Sequence, residues 1–379
     1  MKYGLQLAMG AAVCGRQALQ EVAALAEELE YDSILMGDHI VIPKRITTPW
    51  PYDEYVKGRP PYEVYTDMAV LDPFDTVAFL AAATQKVRLG LSVLIVPYRH
   101  PFDVARRVAT IDVLSGGRFV LGVGVGWLEE EFRLLQIPFK ERAQRTREYV
   151  AVMKALWTQE QPRFAGQFVE LTEDVNVLPR PLQKPHPPIW VGGESLPALR
   201  RVVEFGDGWH IGLLTFDQLR PLREKLARLM EQAGRDFTQL KLTALTDPHR
   251  LSAADIRTYR DLGVSVLYML PLSRDTEALL GHMRALEGQG GCVSRSSAGP
   301  LLGERGLLLT RREGFDCTQI WQRFSVHTDR QKADVRGASF ELRLDAVTNL
   351  FLTAPGHDVI DQAVAAPVLE IGVLIPKGL

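Results

Sequence analysis

The chain has 379 residues, enough to bury a large core; a single α/β barrel takes about 250, so one full domain plus a further piece is expected. Its 44 basic and 46 acidic residues give a formal charge of −2, with no polycationic face for nucleic acid or anionic lipid, and leave a small molecule as the expected partner. Three cysteines in no CxxC pair suit reduced thiols, the opening Met1-Lys2-Tyr3-Gly4-Leu5-Gln6-Leu7 carries no basic-then-apolar leader, and no apolar stretch is long enough to span a bilayer, so a cytoplasmic protein is expected.

Short β-branched apolar runs alternate with longer segments whose apolar residues recur every three or four positions. The first strand, Tyr3 to Met9, precedes a helix over Gln17 to Glu30 with Leu19, Val22, Leu25 and Leu29 on one face. A second strand, Ser33 to Gly37, runs into Asp38-His39 and then a long Pro- and Tyr-rich loop before a helix over Pro73 to Thr84. The third strand, Val87 to Val96, leads to a helix from Pro101, where proline suits the first turn. The fourth, Arg118 to Val125, is followed by helical stretches including Arg145 to Trp157 and a small hairpin within Phe164 to Leu178.

The fifth strand, Pro188 to Val191, ends in Gly192-Gly193 before a helix over Leu196 to Phe205, with Gly206 as its stop. The sixth strand is Gly208 to Leu213, the seventh Leu240 to Leu245 and the eighth Ser265 to Leu270, each trailed by a helical pattern; Ser252 and Asp255 read as a capping box. Eight strand-helix units in series favour a closed parallel (β/α)8 TIM barrel over an open sheet. Near Gly288 the rhythm stops, so residues 1–288 are read as the barrel domain and 289–379 as a C-terminal extension of unassigned structure.

In such a barrel the chemistry sits where strands end. Asp38-His39 places an acid and an imidazole at one strand end, as a proton-exchanging pair or as a loop cap beside a surface histidine. Gly192-Gly193 before a helix start lets backbone N–H groups approach an anion such as phosphate, or forms only a tight turn. Gly122 and Gly124, in an inward-facing strand, are open to the bland reading of relieving crowding. The histidines are scattered, with neither HxH nor HExxH spacing, so no metal site is expected, and Ser195 lacks the flanks of a nucleophile elbow.

Taken together, Gly37-Asp38-His39-Ile40-Val41-Ile42-Pro43, Arg88-Leu89-Gly90-Leu91-Ser92-Val93-Leu94 with Arg99-His100-Pro101, Gly117-Arg118-Phe119 through Gly126-Trp127, Pro188-Ile189-Trp190-Val191-Gly192-Gly193 and Gly206-Asp207-Gly208-Trp209 resemble the luciferase-like monooxygenase family, within it the branch of oxidoreductases using the deazaflavin coenzyme F420. The resemblance covers roughly residues 1 to 288. It implies a cofactor ring in the barrel mouth, backed by a non-prolyl cis peptide at Ser92-Val93 beside Gly124, with Val191, Gly192, Gly193, Glu194 and Ser195 on the ribityl-phosphate tail. It further implies Asp38 and His39 on the substrate side; the expected mechanism is hydride transfer to or from a small organic substrate, with His39 as proton donor or oxyanion partner and Asp38 orienting it or helping to set its basicity.

Trp127 stands where sugar-phosphate dehydrogenases of that branch carry Glu, which points away from that substrate and towards an apolar wall. Arg45, Trp127 and Tyr55, with a loop over Val41 to Asp72 long enough for a lid, are the expected substrate contacts. Two other functions fit the pattern: an FMN-dependent, two-component monooxygenase using O2 with a partner flavin reductase, and a non-catalytic flavin-binding protein. The family's habit implies a homodimer.

Overall fold

The structure, a computed structural model, describes residues 1–7, 14–50, 70–248, 251–270 and 275–289. Tyr55 and the extension expected beyond the barrel lie outside those residues, as do Ala8 and Met9 at the end of the expected first strand. The chain begins with β1 (Lys2–Leu7), α1 (Arg16–Glu28), β2 (Ser33–Met36), α2 (Pro73–Ala83), β3 (Arg88–Ile95), α3 (Pro101–Leu114) and β4 (Phe119–Gly124). Next come α4 (Glu129–Leu134), α5 (Arg142–Thr158) and a two-stranded hairpin, β5 (Phe164–Ala165) with β6 (Glu170–Leu171). The rest is β7 (Ile189–Gly192), α6 (Leu196–Phe205), β8 (Gly208–Ile211), α7 (Phe216–Gln232), β9 (Lys241–Thr246), α8 (Ala253–Asp261), β10 (Val266–Met269) and α9 (Thr276–Gln289).

Eight of these strands close in the order β1-β10-β9-β8-β7-β4-β3-β2, every pairing parallel, so the expected barrel is the observed one. Local chemistry sets the helix starts. Asp72 accepts hydrogen bonds from the Phe74 and Asp75 N–H groups ahead of Pro73, His100 accepts from Phe102 N ahead of Pro101, and Ser252 and Asp255 form the expected capping box. Gly206 ends α6 in extended rather than left-handed backbone; a Cβ there would lie 3.0 Å from both Val191 Cγ2 and Val202 O, so its role is close packing.

A large apolar cluster fills the space between sheet and helices, while Leu35, Val120, Trp190, Val266 and Tyr268 plug the barrel interior. Above this plug the inward positions become small. Ser92-Val93 is a cis peptide, as the resemblance implied, and the β3–β4 register shifts between Leu91 and Leu94. The Val93 side chain occupies the room left by neighbouring glycines: a Cβ on Gly124 would meet Val93 Cγ2 at 2.4 Å, and one on Gly192 would meet Val93 Cγ1 at 2.8 Å. Gly122 is tighter still, because its Cβ would sit 2.1 Å from the Leu91 carbonyl oxygen, which cannot rotate away.

Gly122→Ala should therefore cost about 1–3 kcal/mol by overpacking, read as a lowered midpoint in urea unfolding. Gly15→Ala, where an added methyl meets nothing within 4 Å and only the N-cap of α1 is altered, is the control and should lower the midpoint less. Equal midpoints for the two variants would contradict the close approach of β3 and β4.

Candidate active site at the barrel mouth

The carboxyl ends of β2, β3 and β4 bring Asp38, His39, Tyr98, Arg99, Trp127 and Glu131 together. Asp38 is 3% exposed, and its Oδ2 accepts from Ile95 N at 2.9 Å and Arg99 Nη1 at 2.8 Å. Arg99 reaches on to Asp72 Oδ2 at 3.4 Å, tying the β2 end to the start of α2. Burial raises the Asp38 carboxyl above its usual range, against the pull of Arg99. The expected Asp38–His39 pairing gives way to a different one, because the backbone turns Asp38 inward onto β3 and leaves His39 facing α4.

The carboxylate that holds His39 is Glu131, which the sequence analysis did not single out. Its Oε2 lies 2.6 Å from His39 Nδ1 and accepts the Tyr98 hydroxyl at 2.9 Å. Its Oε1 accepts the N–H groups of Ile40 at 2.7 Å and Val41 at 3.1 Å. Burial alone would raise the Glu131 carboxyl; His39 and the two N–H groups outweigh that and hold it below its usual range. An ionised carboxylate only accepts, so the proton between it and His39 belongs to Nδ1. Trp127, half-buried, stands edge-on to His39 with ring centroids 6.4 Å apart.

Glu130 extends the anchorage. Its Oε1 accepts Thr47 N at 2.7 Å, Thr47 Oγ1 at 2.6 Å and Thr48 N at 3.0 Å, and its Oε2 accepts Thr48 Oγ1 at 2.6 Å. Burial opposes ionisation here too, but these donors bring the carboxyl down to about 2. Two consecutive glutamates of α4 thus pin the β2 loop over residues 40–48. Arg45 lies exposed on that pinned segment.

On the β7 side, Gly193 has a φ of +106°, Trp209 Nε1 donates to its carbonyl at 3.0 Å, and Glu194 Oε1 accepts Gly212 N at 2.8 Å. Ser195 caps α6 by accepting Ala198 N at 3.4 Å. The Val191 side chain faces the helix layer, 1% exposed, so only its backbone borders the mouth. Beneath the mouth, Ser92 Oγ lies 2.8 Å from Nε2 of His210, another residue that the sequence analysis passed over. The β3 bulge joins the two halves, since Val93 touches Gly124 and Gly192. Among the described residues no group of three or more potential ligands could hold a metal ion, and no helix is long and apolar enough to cross a membrane.

A model of luciferase-like monooxygenases matches residues 5–255. The chain belongs to that family. An uncharacterized protein of Mycobacterium tuberculosis is 30% identical over 277 residues, covering 70% of this chain and 91% of its own. The FMNH2-dependent dimethylsulfone monooxygenase of Pseudomonas putida is 39% identical over 119 residues, 31% of this chain and 32% of its own. The solved coenzyme F420-dependent tetrahydromethanopterin reductase of Methanopyrus kandleri shares the fold at a TM-score of 0.59 and 15% identity, over 76% of this chain and 97% of its own. Proteins similar to this chain thus include an FMNH2-dependent monooxygenase by sequence and a coenzyme F420-dependent reductase by fold.

Both pinning carboxyls bind protons more weakly when folded than when unfolded. Their stabilisation is therefore complete above the ordinary value of 4.5 and is lost as pH falls, for Glu130 towards about 2. Glu130→Gln should lower stability by about 1–3 kcal/mol at neutral pH, and the gap to wild type should close as pH falls through that window, measured by urea unfolding at each pH. A gap that stays constant with pH would show that the charge is not what anchors the loop.

Proposed function

We propose that this chain transfers a hydride between coenzyme F420 and a small organic substrate, with His39 as proton donor or oxyanion partner. One observation carries the reading: His39 is held at the mouth by the ionised Glu131 at 2.6 Å, beside Trp127. A carbonyl that accepts a hydride needs a proton at its oxygen, and an imidazole fixed in one orientation is suited to supply it.

The residues present fit such a cofactor. Gly124 and Gly192 leave the space beside the β3 bulge to Val93, and the left-handed Gly193 opens the backbone ahead of α6. Ser92 and Val93 would back the ring. Gly192, Gly193, Glu194 and Ser195, with the Val191 backbone, would border the phosphate tail through main-chain groups, since the Glu194 and Ser195 side chains are already engaged. When bound, the deazaflavin supplies the hydride chemistry. The protein's part is to orient the substrate against Trp127, exclude water beneath the β2 loop and manage the proton at His39 Nε2. Asp38 acts on the site through β3 and Arg99. Arg45 would meet an acidic group on the substrate.

A second reading, an FMN-dependent monooxygenase fed by a flavin reductase, is supported by the 39% identity to the dimethylsulfone enzyme. Titration with F420 and, separately, FMN distinguishes the two. Tight F420 binding is expected, with His39→Ala binding F420 within about threefold of wild type while turnover of an identified substrate falls about 10²-fold or more. Preference for FMN with oxygen uptake would establish the second reading. Binding of neither would end both, and unchanged activity in His39→Ala would favour a binding protein without catalysis.

A further inference from the structure

Below the mouth, β3, β8 and β9 present a short chain of hydrogen bonds that the mouth residues do not explain. Ser92 Oγ lies 2.8 Å from His210 Nε2, and His210 Nδ1 lies 2.7 Å from Thr243 Oγ1. His210 is fixed by its neighbours, stacked on Trp190 at 6.5 Å between centroids and edge-on to Tyr268 at 5.3 Å. Gln6 Nε2 donates to the Ser92 carbonyl at 3.1 Å, so the backbone of that residue is held as well as its side chain.

The direction of the chain follows from burial. The interior pushes His210 down to about 4, so the ring is neutral across the physiological range and carries one proton. If that proton were on Nδ1, it would point at Thr243 Oγ1, and the Thr243 hydroxyl proton would need another acceptor. Thr243 is fully buried, and its hydroxyl has no other partner among the described residues. A buried donor without an acceptor is costly. The opposite arrangement satisfies every group: Thr243 donates to Nδ1, Nε2–H donates to Ser92 Oγ, and the Ser92 hydroxyl proton is left to point elsewhere. Ser92 is half-buried on the inward face of the carboxyl half of β3, so it faces the mouth.

Building on the proposed cofactor reading, we propose that Ser92 is a directed hydrogen-bond donor to the acceptor-bearing edge of the bound tricyclic ring, with Thr243 and His210 acting in series as its positioning residues. Each donor in such a chain polarises the next, so the terminal hydroxyl donates more strongly than an isolated serine. Its acceptor would be a ring carbonyl oxygen or ring nitrogen, features that FMN and F420 share. No net proton is gained or lost by the chain.

The test has two arms. In the free protein, long-range nitrogen–proton NMR of His210 should show a protonated Nε2 and an unprotonated Nδ1, unchanged between about pH 6 and 8. Titrating FMN and F420 separately, Ser92→Ala should weaken binding of the preferred cofactor about 5–10-fold. Thr243→Val, which never touches the mouth, should weaken it about 2–5-fold with thermal unfolding near wild type. A protonated Nδ1 would reverse the chain and overturn the proposal, as would wild-type affinity in Ser92→Ala. If wild type bound neither cofactor, the cofactor reading and the ligand named here would both fall, while the nitrogen spectrum would still decide the direction of the chain.

Discussion

The ionised carboxylate of Glu131 is the group on which the mouth depends. It is completely buried, and a buried charge persists only where donors replace the water it has lost. Those donors come from two separate places: His39 with the Ile40 and Val41 N–H groups from the β2 loop, and Tyr98 from the end of β3. One side chain thereby fixes the imidazole tautomer, the entry of the β2 loop and the packing of Tyr98 against Phe132, whose ring centroids are 4.8 Å apart. Glu130, the next residue along, repeats the device farther out on Thr47 and Thr48.

Asp38 and Arg99 form the complementary inner layer. Their ion pair also takes the Ile95 N–H at the end of β3 and reaches Asp72, so the strand ends that carry the site are fixed to the helix layer as well as to one another. A buried pair of this kind contributes less to net stability than its Coulomb energy suggests, because both charges lose water. Its evident effect is geometric: with Asp38 turned inward, His39 is directed towards α4.

The barrel was legible because its signals are local and repeated: short apolar runs, capped helix starts at Ser252 and Pro101, and eight units in series. The strand-end motifs mark the mouth where the site is proposed, and the Ser92-Val93 bond has the geometry that the resemblance implied. Glu131 was illegible because it stands third in Glu129-Glu130-Glu131, a run that reads as an acidic, solvated first helical turn, and its partner His39 is 92 residues away. That Val191 turns its side chain to the helix layer was not legible, because a four-residue strand buried at three of its positions shows no alternation to say which side chain points in. His210 carried a usable signal: in Gly208-Trp209-His210-Ile211 it shares the parity of the inward Gly208, an unusual place for an imidazole.

The packing around Val93 has a consequence for how this mouth can diverge. One branched side chain fills space that Gly124 and Gly192 leave open on two other strands. A larger residue at either glycine becomes tolerable only when residue 93 shrinks, and a larger residue at 93 can grow only into the mouth itself. The three positions therefore form an interstrand lock whose members change by compensated exchange, so new pocket shapes arise through paired substitutions across strands, whereas the loops above can vary one residue at a time.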